Sequence, residues 1–182
     1  MKKYYLVALP EKKVLKRGLE LQSEFSSRYG VYERPFPPLH MTLGIIYIQS
    51  QEEIQQVLTL LHPLLTSFLP FKLTVEGVSC FPPPYKSVNL RVRPTKKLRH
   101  MSNTIHHRLA SFNLSAHPMK EWDYHISLVN TVFANREWTE KEFSEACKTL
   151  VEIDLRLACF VKTIELWNPE FPPLKVIDRF TS

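Results

Sequence analysis

Seven histidines are spread along the chain. Three carry a hydroxyl residue two positions later: His40-Met41-Thr42, His100-Met101-Ser102 and His125-Ile126-Ser127. Chance supplies roughly one such spacing among seven histidines, so the spacing alone says little. Context separates the three. His40 and His125 share the order His, apolar, hydroxyl, Leu inside β-type segments, whereas His100 follows Lys96-Lys97-Leu98-Arg99 in a basic helical stretch and reads as solvated surface. On a strand, residues i and i+2 project from one face. His40 then stands beside Thr42, and His125 beside Ser127, with Met41, Leu43, Ile126 and Leu128 turned into a core. Two imidazoles and two hydroxyls brought together suit phosphoryl chemistry without a metal. A neutral imidazole takes a proton from the attacking oxygen and a protonated one gives a proton to the leaving oxygen, both forms being accessible because the ordinary pKa is ~6.5. The hydroxyls donate to the non-bridging phosphate oxygens.

The elements that must position these residues follow from periodicity. Strands are expected at 3–9, 40–47, 71–80, 86–93, 122–130, 155–166 and about 174–180, with a Pro-containing turn at 169–173. Helices are expected at 11–28, with Gly30 past its end, and after Ser50, where Ser50 and Glu53 spell a capping box. Further helices are expected at 95–113 and after Thr139, where Thr139 and Glu142 spell a second box. The order is strand-helix-strand-helix-strand, the same again, and one more strand. Tyr4 to His40 and Ser87 to His125 are similar intervals with little identity between them, a repeat of architecture. The expected fold is α+β and bilobal: two pseudo-symmetric lobes whose antiparallel sheets line a central cleft, with helices outside. Residues 1–182 form a single domain, half 1 covering 1–84 with His40 and half 2 covering 85–182 with His125.

Composition bounds the partners. With 182 residues, 44% hydrophobic and 23% charged, the chain is in the globular range. No apolar run approaches the ~20 residues of a membrane span. The opening Tyr4-Tyr5-Leu6-Val7-Ala8-Leu9 is stopped by Pro10 without a cleavage site, so it reads as a first strand of a cytoplasmic protein rather than as a signal peptide. The net charge of +6 admits an anionic partner such as RNA or a nucleotide, but by itself reads first as an ordinary solubility charge. Cys80, Cys147 and Cys159 are odd in number and far apart, which reads as buried thiols rather than a disulfide framework. No HExxH or Cys/His cluster marks a metal site.

The segments Pro38-Leu39-His40-Met41-Thr42-Leu43 and Asp123-Tyr124-His125-Ile126-Ser127-Leu128 resemble the paired motifs of the 2H phosphoesterases, which include the bacterial 2′-5′ RNA ligase-like proteins and 2′,3′-cyclic phosphodiesterases. The opening strand Tyr5–Pro10 and the segment Phe71–Val92 are similar in position and character, so the resemblance spans nearly the whole chain. It implies metal-independent cleavage of a phosphodiester, commonly a 2′,3′-cyclic phosphate, with release of the 3′ oxygen. His40, Thr42, His125 and Ser127 are the catalytic residues it implies, with no cofactor. Some bacterial members carry a basic residue shortly after the second motif, where this chain has Val129-Asn130.

If the apolar residues of strand 86–93 face the helices, then Asn89, Arg91 and Arg93 face the cleft. Arg91 is the candidate to neutralise substrate phosphate, since a guanidinium makes bidentate contacts to phosphate oxygens. Among the aromatics of the Pro-rich loops, Tyr85 is the candidate to stack on a base, ahead of Phe81 and Phe36. Asp123 shares the His125 face and either orients an imidazole or is solvated. The expected function is a metal-independent cyclic phosphodiesterase acting as a monomer on an RNA end or a nucleotide. The alternatives are a 2′-5′ or cyclic oligonucleotide phosphodiesterase, a non-catalytic RNA- or nucleotide-binding module and, more weakly, a metal-dependent hydrolase that EDTA would expose.

Overall fold

The structure, a computed structural model, describes residues 1–117, 122–170 and 173–182, with only the backbone of Ser115 and Val132. The strands are β1 (Lys2–Ala8), β2 (Met41–Ile48), β3 (Phe71–Phe81), β4 (Ser87–Val92), β5 (Ser115–Ala116), β6 (His125–Val129), β7 (Arg156–Val161), β8 (Thr163–Asn168) and β9 (Lys175–Thr181). The helices are α1 (Lys12–Tyr29), α2 (Gln51–Phe68), α3 (Lys96–Ala110) and α4 (Glu140–Val151). The local signals act as expected at most ends. Gly30 closes α1 with φ +58 and donates to Ser26 O. Thr139 and Glu142 form a reciprocal capping box on α4. At α2 Ser50 accepts from the Glu53 amide, but the Glu53 carboxylate reaches the Gln49 amide instead of closing the box on Ser50.

All strands belong to one antiparallel sheet of order β7-β3-β4-β6-β2-β1-β8-β9, with β5 on β2. The α+β class with antiparallel strands is therefore the architecture. The two expected sheets are the halves of this one sheet, joined by the Met41–Ile126 pairing of β2 with β6. The strands are also shared differently from the sequence halves. β3, in residues 1–84, pairs with β4 and β7, while β8 and β9 lie on the β1 side.

The expected single strand at 155–166 is two strands, which is the main correction to the fold. β7 lies at one edge and β8 six positions away, with only Lys162 between them. In a flat sheet those strands would lie ~29 Å apart, at ~4.8 Å per position. Two consecutive Cα–Cα steps cover at most ~7 Å. The sheet must curl until its far parts meet at this crossover. Leu9 N donates to Thr163 O at 3.1 Å, tying the end of β1 to the start of β8. The turn expected at 169–173 lies partly outside the described residues.

One face of the sheet is the core. Met41, Leu43, Leu90, Ile126 and Leu128 are fully buried, and the helices cover them. The loop that delivers His40 is fixed from α1. The Gln22 Nε2 amide donates to Pro37 O at 3.0 Å, and Gly18 leaves room for Leu39, whose Cδ1 would stand 2.7 Å from a Cβ at that position. Tyr32 ties the same loop to the end of β6, its hydroxyl donating to Asn130 O at 3.2 Å and accepting from Asn130 N at 2.7 Å. Burial pushes the Tyr32 phenol up to about 12, so it stays protonated in this role.

The cysteine expectation is corrected. Cys80 on β3 and Cys147 on α4 form a disulfide, leaving Cys159 as the free, buried thiol. The two sit 67 positions apart and meet only because α4 packs on the core face of β3 and β4.

Candidate active site

The Met41–Ile126 pairing decides the geometry. Both residues point into the core, so their neighbours point the other way. Continuing the register by one residue sets His40 opposite Ser127 and Thr42 opposite His125. Directly opposed side chains in an antiparallel pair stand ~5 Å apart at Cβ. The two motifs are therefore interleaved, each imidazole beside the other motif's hydroxyl. β4 extends the same face: Asn89 pairs with Ser127 and Arg91 with His125.

The two histidines are held alike. His40 Nδ1 lies 2.8 Å from Pro38 O, and His125 Nδ1 lies 2.6 Å from Asp123 O. A carbonyl only accepts, so Nδ1 carries the proton and Nε2 is left as the atom that takes or gives one. Asp123 thus orients His125 through its backbone. Each ring also meets an aromatic edge-on: His40 meets Trp167 with centroids 4.6 Å apart, and His125 meets Phe81 at 4.7 Å. Burial lowers His40 to about 4, opposed by its bond to Pro38 and helped by the nearby His125. Burial also lowers His125, but its bond to Asp123 O and the Asp123 charge pull back up. Both rings are thus pushed toward the neutral form, and of the two His125 alone has a nearby carboxylate opposing the push.

The hydroxyls differ. Ser127 Oγ donates to Asn89 Oδ1 at 2.9 Å, and the Asn89 amide donates to Ser87 Oγ at 3.1 Å and weakly to the Ser79 and Ser87 carbonyls at 3.3 Å. Asn89 is completely buried. Thr42 Oγ1 makes no hydrogen bond among the described residues. Arg91 is exposed, and its Nε donates to Glu76 O at 2.9 Å, which leaves both Nη groups for an anion. The guanidinium lies over the β-bulge at Gly77, whose φ of +79 favours glycine and whose Cβ, if present, would stand in ordinary contact with Arg91 Nη2 at 3.5 Å.

The structure thus brings together His40, Thr42, His125, Ser127 and Arg91. Tyr85 is not part of this cluster. It is exposed in the turn between β3 and β4, where its carbonyl accepts from Thr131 Oγ1. The aromatic that does meet a motif histidine from that side is Phe81, ranked lower from sequence. Three residues were missed or given no role: Asn89, Trp167 and Glu165. Glu165 had a signal, a carboxylate inside the otherwise apolar run from Ile164 to Trp167.

A family model described as the 2′-5′ RNA ligase superfamily matches residues 14–170. The chain belongs to that superfamily. The 2H phosphoesterase resemblance of its motifs and its α+β fold both agree with that membership. Solved structures carry the same fold over nearly their full length. TT0787 of Thermus thermophilus aligns with TM-score 0.73 at 18% identity, covering 98% of this chain and 97% of that one. E. coli LigT complexed with 3′-AMP aligns with TM-score 0.62 at 16% identity, covering 99% and 97%. A structure described as a phosphoesterase aligns with TM-score 0.60 at 16% identity, covering 100% and 98%. No curated protein matches the sequence significantly. Membership makes this a phosphodiesterase-type protein. Among the described residues, no helix of this superfamily member is long and apolar enough to cross a membrane.

Proposed function

We propose that the protein hydrolyses a 2′,3′-cyclic phosphate, at an RNA end or on a nucleotide, by two-histidine acid–base catalysis without a cofactor. The observation that carries this is the matched pair of imidazoles on adjoining strands, each fixed at Nδ1 by the carbonyl two residues earlier. Such pinning leaves two Nε2 atoms to work on one phosphate. His40, held further toward the neutral form, is the base; His125 is the acid. His40 Nε2 takes a proton from water as its oxygen bonds to phosphorus. The P–O3′ bond breaks, and the His125 Nε2 proton goes to O3′, leaving a 2′-phosphate and a 3′-hydroxyl. Thr42 and Ser127 donate to the non-bridging oxygens, Ser127 by turning its proton away from Asn89. Arg91 offsets the phosphate charge. That LigT has been seen with 3′-AMP supports a nucleotide as the ligand class.

The test is turnover of nucleoside 2′,3′-cyclic phosphates and of 2′-5′-linked dinucleotides in EDTA. His40→Ala and His125→Ala should each lose at least ~100-fold, as loss of an acid or base does. Arg91→Ala should raise KM more than it lowers kcat. Turnover surviving either histidine substitution removes that residue from the mechanism. Cleavage of the 2′-5′ dinucleotide alone would favour the oligonucleotide phosphodiesterase. A folded protein that binds nucleotides and turns over neither would be a binding module.

A further inference from the structure

We infer that Glu165 is a positioning residue that acts through Trp167 to hold the His40 imidazole in its working orientation. The inference rests on the reading of His40 as a catalytic residue. β8 places a carboxylate at a position 3% exposed, between the core residues Ile164 and Leu166. A buried carboxylate costs several kcal/mol unless its oxygens are paired. Each oxygen has one short donor: Trp167 Nε1 to Oε2 at 2.6 Å and Arg179 Nε to Oε1 at 2.6 Å.

The register shows why Glu165 cannot reach His40 itself. Glu165 pairs with Val7 on β1, and Val7 pairs with Thr42 on β2. Glu165 therefore shares the site's face but lies two strands, ~10 Å, from the first motif. Trp167, next on that face, bridges the gap. A shift in pairing with β9 between Leu166 and Trp167 sets Glu165 opposite Arg179 and Trp167 opposite Val176. From there the indole meets the His40 ring at 4.6 Å and 63°.

The contact supplies what the Nδ1 bond lacks. One hydrogen bond to Pro38 O leaves the ring free to pivot about that line. A packed ring beside it removes the pivot only if it is itself immobile. The indole N–H on the carboxylate makes it so, and Arg179 balances the charge behind. The corresponding ring on the other side, Phe81 against His125, has no polar handle. If Glu165 merely anchored β9 through Arg179, its loss would cost stability and leave the chemistry at His40 alone.

The test compares Glu165→Ala, Glu165→Gln and Trp167→Phe with wild type, each checked for folding by thermal unfolding. On a nucleoside 2′,3′-cyclic phosphate, Glu165→Ala should lower kcat roughly 10-fold with KM little changed, the scale of a small misplacement of a catalytic group. Glu165→Gln, whose amide oxygen still accepts from the indole, should recover most of that loss. The effect should persist in a His125→Ala background and vanish in a His40→Ala background, because residues acting as a unit are not additive. NMR of the His40 ring gives a readout independent of turnover. The groups facing it are the Pro38 carbonyl, His125 on β6, Thr42 beside it, and Trp167 backed by Glu165 and Arg179. Loosening the wall changes the ring's packing, so Glu165→Ala should shift the His40 ring resonances, and Glu165→Gln, which keeps an acceptor for the indole, should leave them nearly unchanged. If Glu165→Ala does not fold, Trp167→Phe takes its place and should shift the His40 ring resonances. An equal kcat loss with His40 already removed, or unchanged His40 signals in a folded variant, overturns the inference. If wild type turns over no substrate, the proposed activity falls and the NMR comparison still decides the positioning role.

Discussion

Acidification should destabilise this protein through His40 before its carboxylates protonate. The ring titrates at about 4 in the folded chain against an ordinary 6.5. A histidine held neutral by burial binds fewer protons folded than unfolded. Its contribution to stability is complete above the unfolded value and is lost as pH falls from there through the folded value. Those two values give a loss of nearly zero at pH 7.5 and about 2 kcal/mol at pH 5, a large share of a typical 5–15 kcal/mol total. His125 is shifted in the same direction, so wild type alone would mix the two. Urea unfolding of wild type and His40→Gln from pH 7.5 to 5 isolates His40. The stability difference between them should move by about 2 kcal/mol in favour of the variant as pH falls. A difference that stays constant across that range would refute the argument that burial holds His40 neutral, and with it the assignment of His40 as base.

Two further perturbations test the support of the site. Asn89→Ala removes the acceptor of the Ser127 hydroxyl and leaves buried polar groups unpaired, which should cost about 1–3 kcal/mol in urea unfolding and reduce kcat more than it raises KM. Cys147→Ser opens the link between β3 and α4, whose ends are 67 positions apart, and should lower stability by up to about 4 kcal/mol, with wild type in reductant falling to the same value.

The chemistry was legible because it is local. A strand puts i and i+2 on one face, so His40 with Thr42 and His125 with Ser127 could be paired from their spacing, and Met41, Leu43, Ile126 and Leu128 assigned to the core. Helix ends were legible for the same reason: Gly30 and the Thr139–Glu142 box act within one turn. Long apolar runs were less informative. Residues 155–166 read as one strand because nothing in their periodicity marks Lys162 as the point where the chain leaves one end of the sheet for the other. Tyr85 and Phe81 were both loop aromatics by sequence, and only the β3–β4 register separates the one that meets His125 from the one that faces solvent.

What the sequence by itself determined is the identity and facing of the two histidine–hydroxyl pairs, since a two-residue repeat on a strand needs no long-range information. Tertiary structure decided everything that depends on which strands become neighbours. The β2–β6 register set each histidine opposite the other motif's hydroxyl, and β4 brought Asn89 and Arg91 alongside. Packing of α4 on β3 joined Cys80 to Cys147. The return of β8 beside β1 placed Trp167, more than a hundred residues along the chain, against His40, with Glu165 holding the indole from behind. Such contacts are fixed by the curl of the sheet, which arises from the sum of all its pairings and is written in no single segment.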